Sequence, residues 1–394
     1  MSVKVGIYLD SNAGAPLKPA ALEALQLLFQ KEGSFVPNPS SIHSHGRMAK
    51  KALALARERI AGSLGKQIDP EQLVLTSSGS EANQWVIRSV IEARLSKNQS
   101  FHWITTPVEH DSIRQMIDWV KKQGGRVSLL PVDSEGAPDI HFLSSLLEAD
   151  TALVSLIWVN NETGVMTDVS QLAKLTQSKG IPLHLDAAQA WGKFPLHLES
   201  LGAQFVCFSG HKIGALAGTG VVWLARGCPA LPTILGKQEK GRRGGTENTA
   251  GLVSLGAAAS TLDPLGWAQR LEPLRDRLQQ RICERIPGAL VNGGGAPRVA
   301  NTLNLSFEGV EGDGLVMALD LAGYSVSAGS ACASGVLEPS HILMAMGRTK
   351  AQAMAAIRIS LPDEISWEQL ESFVNDLENV VLRMKSAAAA KQID

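Results

Sequence analysis

The 394-residue sequence predicts an α/β fold, with a seven-stranded, mainly parallel sheet in a large domain and a smaller α+β domain after it. Two observations carry this. Short apolar runs alternate with amphipathic stretches across residues 72–225, the rhythm of strand–helix–strand units. Most of those runs are continuously apolar, as strands are when helices cover both faces of a parallel sheet.

The runs are QLVLT (72–76), FHWIT (101–105), RVSLL (126–130), ALVSLIWV (152–159), IPLHLD (181–186), AQFVCFS (203–209) and GVVWLA (220–225). Helical patterns fill the gaps: EANQWVIRSVIEARL after the first, HDSIRQMIDWVKKQG after the second and VSQLAKLTQSKG after the fourth. Near residue 262 the texture changes. TLDPLGW (261–267) reads as a hinge and LEPLRDRLQQRICERI (271–286) as a long helix. TLNLSF (302–307) reads as a strand, GLVMALDLAG (314–323) as a helix, and AIRISL (356–361) as a strand between two helical segments. The terminal AAAAKQID reads as a frayed tail. The expected division is a large domain over 16–262 and a small one over 1–15 and 263–394.

Composition narrows the function classes. With 44% hydrophobic residues the chain can build a full core without disulfides or structural metal. Lys plus Arg total 37 against 38 Asp plus Glu, so nothing drives it toward nucleic acid or an anionic membrane. The basic run KQEKGRR (237–243) reads as a solvated loop or subunit-interface segment. No apolar stretch reaches the ~18 residues of a membrane span, and MSVKVGIYLD lacks the pattern of a signal peptide. A soluble, cytoplasmic protein is expected. The cysteines, Cys207, Cys228, Cys283 and Cys332, form no CxxC pair and no zinc-ligand spacing, so no metal is expected.

Ligands of such sheets sit beyond the C-terminal ends of the strands. After the first run comes SSGSEAN, a small-residue turn into a helix that suits a phosphate, although an ordinary helix cap also accounts for it. His110 follows the second run, and Asn160 and Asn161 follow the fourth; capping and turn chemistry account for each of these alone. The fifth run ends in Asp186, with Gln189 close behind, and an acid there needs a cation or a strong donor. The sixth is followed by Ser209, His211 and Lys212, a lysine placed to have its pKa lowered. Together a phosphate turn, an acid, a lysine, a histidine and amides form the equipment for pyridoxal phosphate. A nicotinamide site fits worse, because no GxGxxG joins a strand to a helix.

Ten motifs in order extend this nearly end to end: NPSSIHSHGR (38–47), LTSSGSEAN (75–83), VEHDS (108–112), VNNETGV (159–165), HLDAAQAWGK (184–193), SGHKI (209–213), GRRGGTEN (241–248), SAGSACASG (327–335), LEPSHIL (337–343) and AIRISL (356–361). On these the chain resembles the NifS/IscS-type cysteine desulfurases, fold-type I pyridoxal-phosphate enzymes of the class V aminotransferase group. The resemblance implies that Lys212 is the Schiff-base lysine and the base at the substrate Cα, that Asp186 pairs with the ring nitrogen, and that His110 stacks on the ring and aids proton traffic. It places Asn161 and Gln189 near the ring hydroxyl, and Gly79, Ser80, Ser209 and His211 around the phosphate. Thr246 would reach the cofactor of a second subunit, which implies a homodimer. Arg358, assisted by Asn38, would clamp the α-carboxylate of L-cysteine. Cys332 would be the nucleophile that takes up sulfur as a persulfide, and the small residues around it predict an exposed thiol. The other cysteines have bland explanations: Cys207 in an apolar strand, Cys283 among apolar helix positions and Cys228 in a turn. The sulfur acceptor implied is an iron–sulfur scaffold, a tRNA-modification protein or a dedicated sulfur carrier.

The sequence departs from the family pattern in places. DSNAGAP (10–16) lacks two threonines, Leu216 stands for a usual proline, LGKQE shortens a glycine run, and Ser80 replaces a threonine. These changes point to a specialised member. Selenocysteine lyase, a C–S lyase releasing free sulfide and an aminotransferase are the rival reactions on this fold. A weakened scaffold protein is the rival of a different class, against which stand Lys212, Asp186, Cys332 and Arg358.

Overall fold

The computed structural model describes residues 6–32, 37–328 and 338–390. A short strand, Ile7–Tyr8 (β1), precedes two helices, Pro19–Glu32 and Ser44–Leu64. The large sheet follows from Leu73–Thr76 (β2), His102–Thr105 (β3), Arg126–Leu129 (β4), Thr151–Ile157 (β5), Leu183–Asp186 (β6), Phe205–Ser209 (β7) and Gly220–Leu224 (β8). Its order is β2-β8-β7-β6-β5-β3-β4, and only β8 runs against the rest. All seven apolar runs are strands, each within two residues of its expected ends.

Their composition follows from burial on both sides. Successive residues face opposite ways. Leu75, Ile104, Leu156, Leu185, Val206 and Val221 enter one apolar cluster, while Val74, Trp103, Leu153, Phe205 and Val222 enter another. Both faces must therefore be apolar. Edge strand β4 is the exception, half-exposed along its length.

A second sheet, of Ala289–Val291 (β9), Thr302–Phe307 (β10), Ser327–Ala328 (β12) and Ala356–Ser360 (β13), is antiparallel throughout, in the order β12-β13-β10-β9. Between β10 and β12, Tyr324–Ser325 (β11) pairs in parallel with β1. A further bridge joins Asp10 to Ser360, and Leu9 is buried with the helices Pro264–Arg285 and Trp367–Ala390. Residues 7–10 are thus joined to the C-terminal part of the fold, β1 to β11 and Asp10 to β13.

Two expectations are corrected. The hinge at TLDPLGW is mostly the first turn of helix Pro264–Arg285, because Asp263 caps it through the Gly266 N–H and Pro264 needs no donor there. The four terminal alanines, read as frayed, continue helix Trp367–Ala390, as alanine's helix propensity favours. Among the described residues no helix is long and apolar enough to cross a membrane, and no cluster of potential metal ligands occurs.

Candidate active site

A cavity of about 290 Å³ opens where the C-terminal ends of β2, β3, β5, β6 and β7 meet β12, β13 and the chain near Asn12. Gly79, Ser80, His110, Asn161, Asp186, Gln189, Ser209, His211, Lys212 and Arg358 all line it. Two expected residues do not. Asn38 is exposed and its Oδ1 caps its own turn by accepting the Ser40 N–H, and Thr246 is exposed just before helix Thr249–Ala259. Cys332 lies outside the described residues.

The turn after β2 is shaped by its neighbours. Ser78 caps helix Gly79–Leu95 by accepting the Glu81 N–H, and the Ala82 N–H goes to the Ser78 carbonyl. The N–H groups of Gly79 and Ser80 are left at the positive end of the helix, beside the cavity. A Cβ on Gly79 would stand 3.0 Å from Ser209 Cβ, tighter than an ordinary contact, so the turn lies close against β7. On that side Ser209 Oγ lies 3.0 Å from His211 Nδ1. Burial, then Lys212, push the His211 pKa down to about 4, so the ring is neutral near pH 7.

Asp186 ends β6 with its carboxylate held by the Asn83 Nδ2 (2.7 Å) and the Ala188 N–H (2.9 Å). Lys212 sits on the turn Gly210–Ile213 after β7, and its Nζ donates to the carbonyls of Asn12 and, at 2.9 Å, Ala13. Burial, then the Arg358 charge, lower its pKa to about 8. His110 caps helix Asp111–Arg114 by accepting the Ser112 N–H at Nδ1, which leaves Nε2 to carry the proton of a neutral ring. From β13, Arg358 donates to the Asn161 carbonyl (3.0 Å) and to Asp10 Oδ1 (2.6 Å), while its buried Nε has no partner.

These residues fit pyridoxal phosphate. Asn161 Oδ1 and Asn83 Oδ1 are buried on the cavity wall without hydrogen-bond partners, which marks a place for a polar ligand. An acid, an amine of lowered pKa and a helix N-terminus are the complementary groups for a pyridine nitrogen, an aldehyde and a phosphate.

Four residues went unrecognised by sequence reasoning. Asn12 is buried and takes Lys212 and Gln189 on its carbonyl. Lys193 is buried beneath Gln189. Glu162 lines the cavity and accepts from Ser340, burial pushing its pKa up to about 7. Glu109 is fully buried next to His110. Its Oε1 accepts from Thr106 Oγ1 (2.6 Å) and the Ile157 N–H (3.1 Å), and Oε2 has no partner. Glu109, Glu162 and Lys193 stand inside motifs already singled out, and that position was the signal available.

Burial, partly offset by those hydrogen bonds, raises the Glu109 pKa from 4.5 to about 8. A raised carboxyl lends stability that is complete below the unfolded pKa and is lost as pH rises through the folded one. Glu109→Gln, which keeps the acceptor and cannot ionise, is therefore expected to gain on the parent by about 1.4 kcal/mol per unit between pH 5 and 8. Urea melts at pH 5.5 and 8 check this; a constant difference would refute it.

The described cysteines hold no activated thiol. Cys207 is buried, Cys228 half-buried and Cys283 exposed, not turned into the apolar face of its helix as expected. Desolvation raises the pKa of all three, and none lines the cavity.

Residues 7–373 match the aminotransferase class-V family. Among curated proteins, a cysteine desulfurase of Nostoc sp. is 37% identical over 388 residues, 98% of this chain and 95% of that protein. The cysteine desulfurase NifS of Azotobacter vinelandii is 35% identical, over 97% of this chain and 94% of its own. A solved NifS-like protein superposes with a TM-score of 0.87 at 30% identity, over 95% of this chain and 99% of that one. Motif order, sheet topology and identity along nearly the whole chain agree, and the chain belongs to the aminotransferase class-V family, among its NifS-like cysteine desulfurases.

Proposed function

We propose that this pyridoxal-phosphate enzyme converts L-cysteine to L-alanine and leaves the sulfur as a persulfide on Cys332. The observation that supports it most is the convergence of Lys212, Asp186, His110, Arg358 and the Ser78–Ser80 turn on one cavity. When bound, the cofactor supplies an electron-poor ring that accommodates the electron pair left at an amino acid's Cα. Lys212 would hold its aldehyde carbon, Asp186 its ring nitrogen, Asn161 and Gln189 its hydroxyl, and the turn with Ser209 and His211 its phosphate. His110 would stack on the ring.

Arg358 orients the substrate by its α-carboxylate. Lys212 takes the Cα proton as a neutral amine, a form that its lowered pKa keeps populated near neutral pH. The Cys332 thiolate then attacks the substrate sulfur: an S–S bond forms, the Cβ–S bond breaks, and carbon keeps the electron pair and gains a proton. Cysteine plus thiol become alanine plus persulfide, with no outside oxidant. The outer sulfur passes to an acceptor protein, in iron–sulfur assembly, tRNA thiolation or a sulfur-carrier route.

The expected assembly is a homodimer. Leu22, Leu27 and Phe29 on helix Pro19–Glu32 and Met48 and Leu55 on helix Ser44–Leu64 are exposed apolar side chains that a second copy would cover.

The reading is tested by incubating the protein with L-cysteine and measuring alanine, sulfide and Cys332 persulfide together. Cys332→Ala is expected to lose sulfur transfer and keep the visible absorption of the bound cofactor. A Cys332→Ala variant that desulfurates cysteine at the parental rate would mean direct release of sulfide, as in a C–S lyase.

A further inference from the structure

Lys193 is a buried amine for which the mechanism has no use. It follows the turn after β6 and is 7% exposed, and among the described residues its Nζ has no carboxylate within ion-pair reach. Instead it donates to two amide oxygens, Gln189 Oε1 at 2.6 Å and Asn12 Oδ1 at 2.9 Å. A lysine buried without a counter-ion is costly. Burial and, after it, the charges of Lys212 and Arg358 hold its pKa well below the usual value, with Asp363 opposing.

The two contacts determine which way the amides point. An amide has an accepting end and a donating end, and Lys193 uses the accepting end of both. Gln189 must then turn its Nε2 the other way, where it donates to the Asn12 carbonyl at 2.9 Å. Flipping Gln189 would set its oxygen against the Asn12 carbonyl and give up the donation from Lys193 to Oε1. The second N–H on Nε2 is left as the free polar group of a side chain that lines the cavity. Asn12 is fixed in the same way. Its Oδ1 takes Lys193 and, at 3.3 Å, Asn301 Nδ2, and its Nδ2 donates to the Asn161 carbonyl (3.2 Å) and to Thr302 Oγ1 (2.9 Å). Its own carbonyl receives Lys212 as well as Gln189.

We infer that Lys193 is a positioning residue, which from behind the cavity wall fixes the Gln189 amide as a hydrogen-bond donor to the cofactor. This rests on the proposed placement of Gln189 at the cofactor. A donor there favours the ring oxygen in its anionic form, so losing it changes the pH at which the cofactor's visible band titrates.

The test is that pH midpoint in the cofactor-loaded protein, for Lys193→Met, Gln189→Leu and the double variant. Gln189→Leu is expected to move it by about 0.5 unit or more, and Lys193→Met by at least half as much in the same direction. In the double variant Lys193→Met should add nothing, since it acts through Gln189. A Lys193→Met protein with the parental midpoint, whatever its melting temperature, overturns the inference while leaving Gln189 in place. An unmoved midpoint in Gln189→Leu overturns it together with the placement of Gln189. Should Lys193→Met fail to fold, Lys193→Leu, which also removes the donor, is read instead by the same criteria: a shift in the direction of Gln189→Leu supports the role and none refutes it.

Discussion

Lys212→Ala is expected to lower alanine formation from L-cysteine by about 10³-fold or more, and to abolish the visible band that depends on the lysine–cofactor bond. The lysine's environment explains why one side chain carries so much. Burial and Arg358 make its amine a base near neutral pH, and the Asn12 and Ala13 carbonyls aim it. Added alkylamines should restore part of the rate, because they supply the base without its tether. Absorption spectra and alanine assays on the same sample check both points, and a Lys212→Ala protein that turns over cysteine at a tenth of the parental rate would refute the assignment.

Arg358 should give the second-largest effect, and of two kinds. Arg358→Leu removes the proposed carboxylate fork and is expected to lower kcat/KM for L-cysteine by about 10²-fold or more. It also leaves the partly exposed Asp10 without its guanidinium partner, which costs about 1 kcal/mol of stability. Asp10→Asn in the same chain should return much of the stability and none of the substrate affinity, since it removes the stranded charge without restoring the fork. Melting temperature and steady-state kinetics on the two variants separate the roles. If both recover together, Arg358 matters only as the partner of Asp10.

How much of this was legible in the sequence depends on how far each residue's meaning travels along the chain. Asp186 and Lys212 are readable because an acid and a lysine at the ends of apolar strands are anomalous where they stand. The strands of the large sheet are readable for the same local reason, since burial on both faces makes all but the edge strand β4 mostly apolar. Asn12, Lys193 and Glu109 look ordinary in their own segments. Asn12 gains its role from Lys212 and Ser360, and Glu109 from Ile157. The pairing of β1 with β11 was equally invisible, because two residues carry no periodicity. The supposed hinge at residue 263 misled because Asp-Pro followed by glycine marks a turn and a capped helix start alike.

The anchoring of Asn12 by Ser360 of β13 bears on the order of events during synthesis. Asn12 is held by Ser360, 348 residues later, and only there does its carbonyl meet Lys212. The large sheet can assemble on the ribosome once residue 224 has emerged, but the support beneath the reactive lysine cannot. The cofactor pocket is therefore finished only when nearly the whole chain has been released. A chain clipped before Ser360 would lose the anchor of Asn12 beneath Lys212, so the frame around the reactive lysine comes together only late in synthesis.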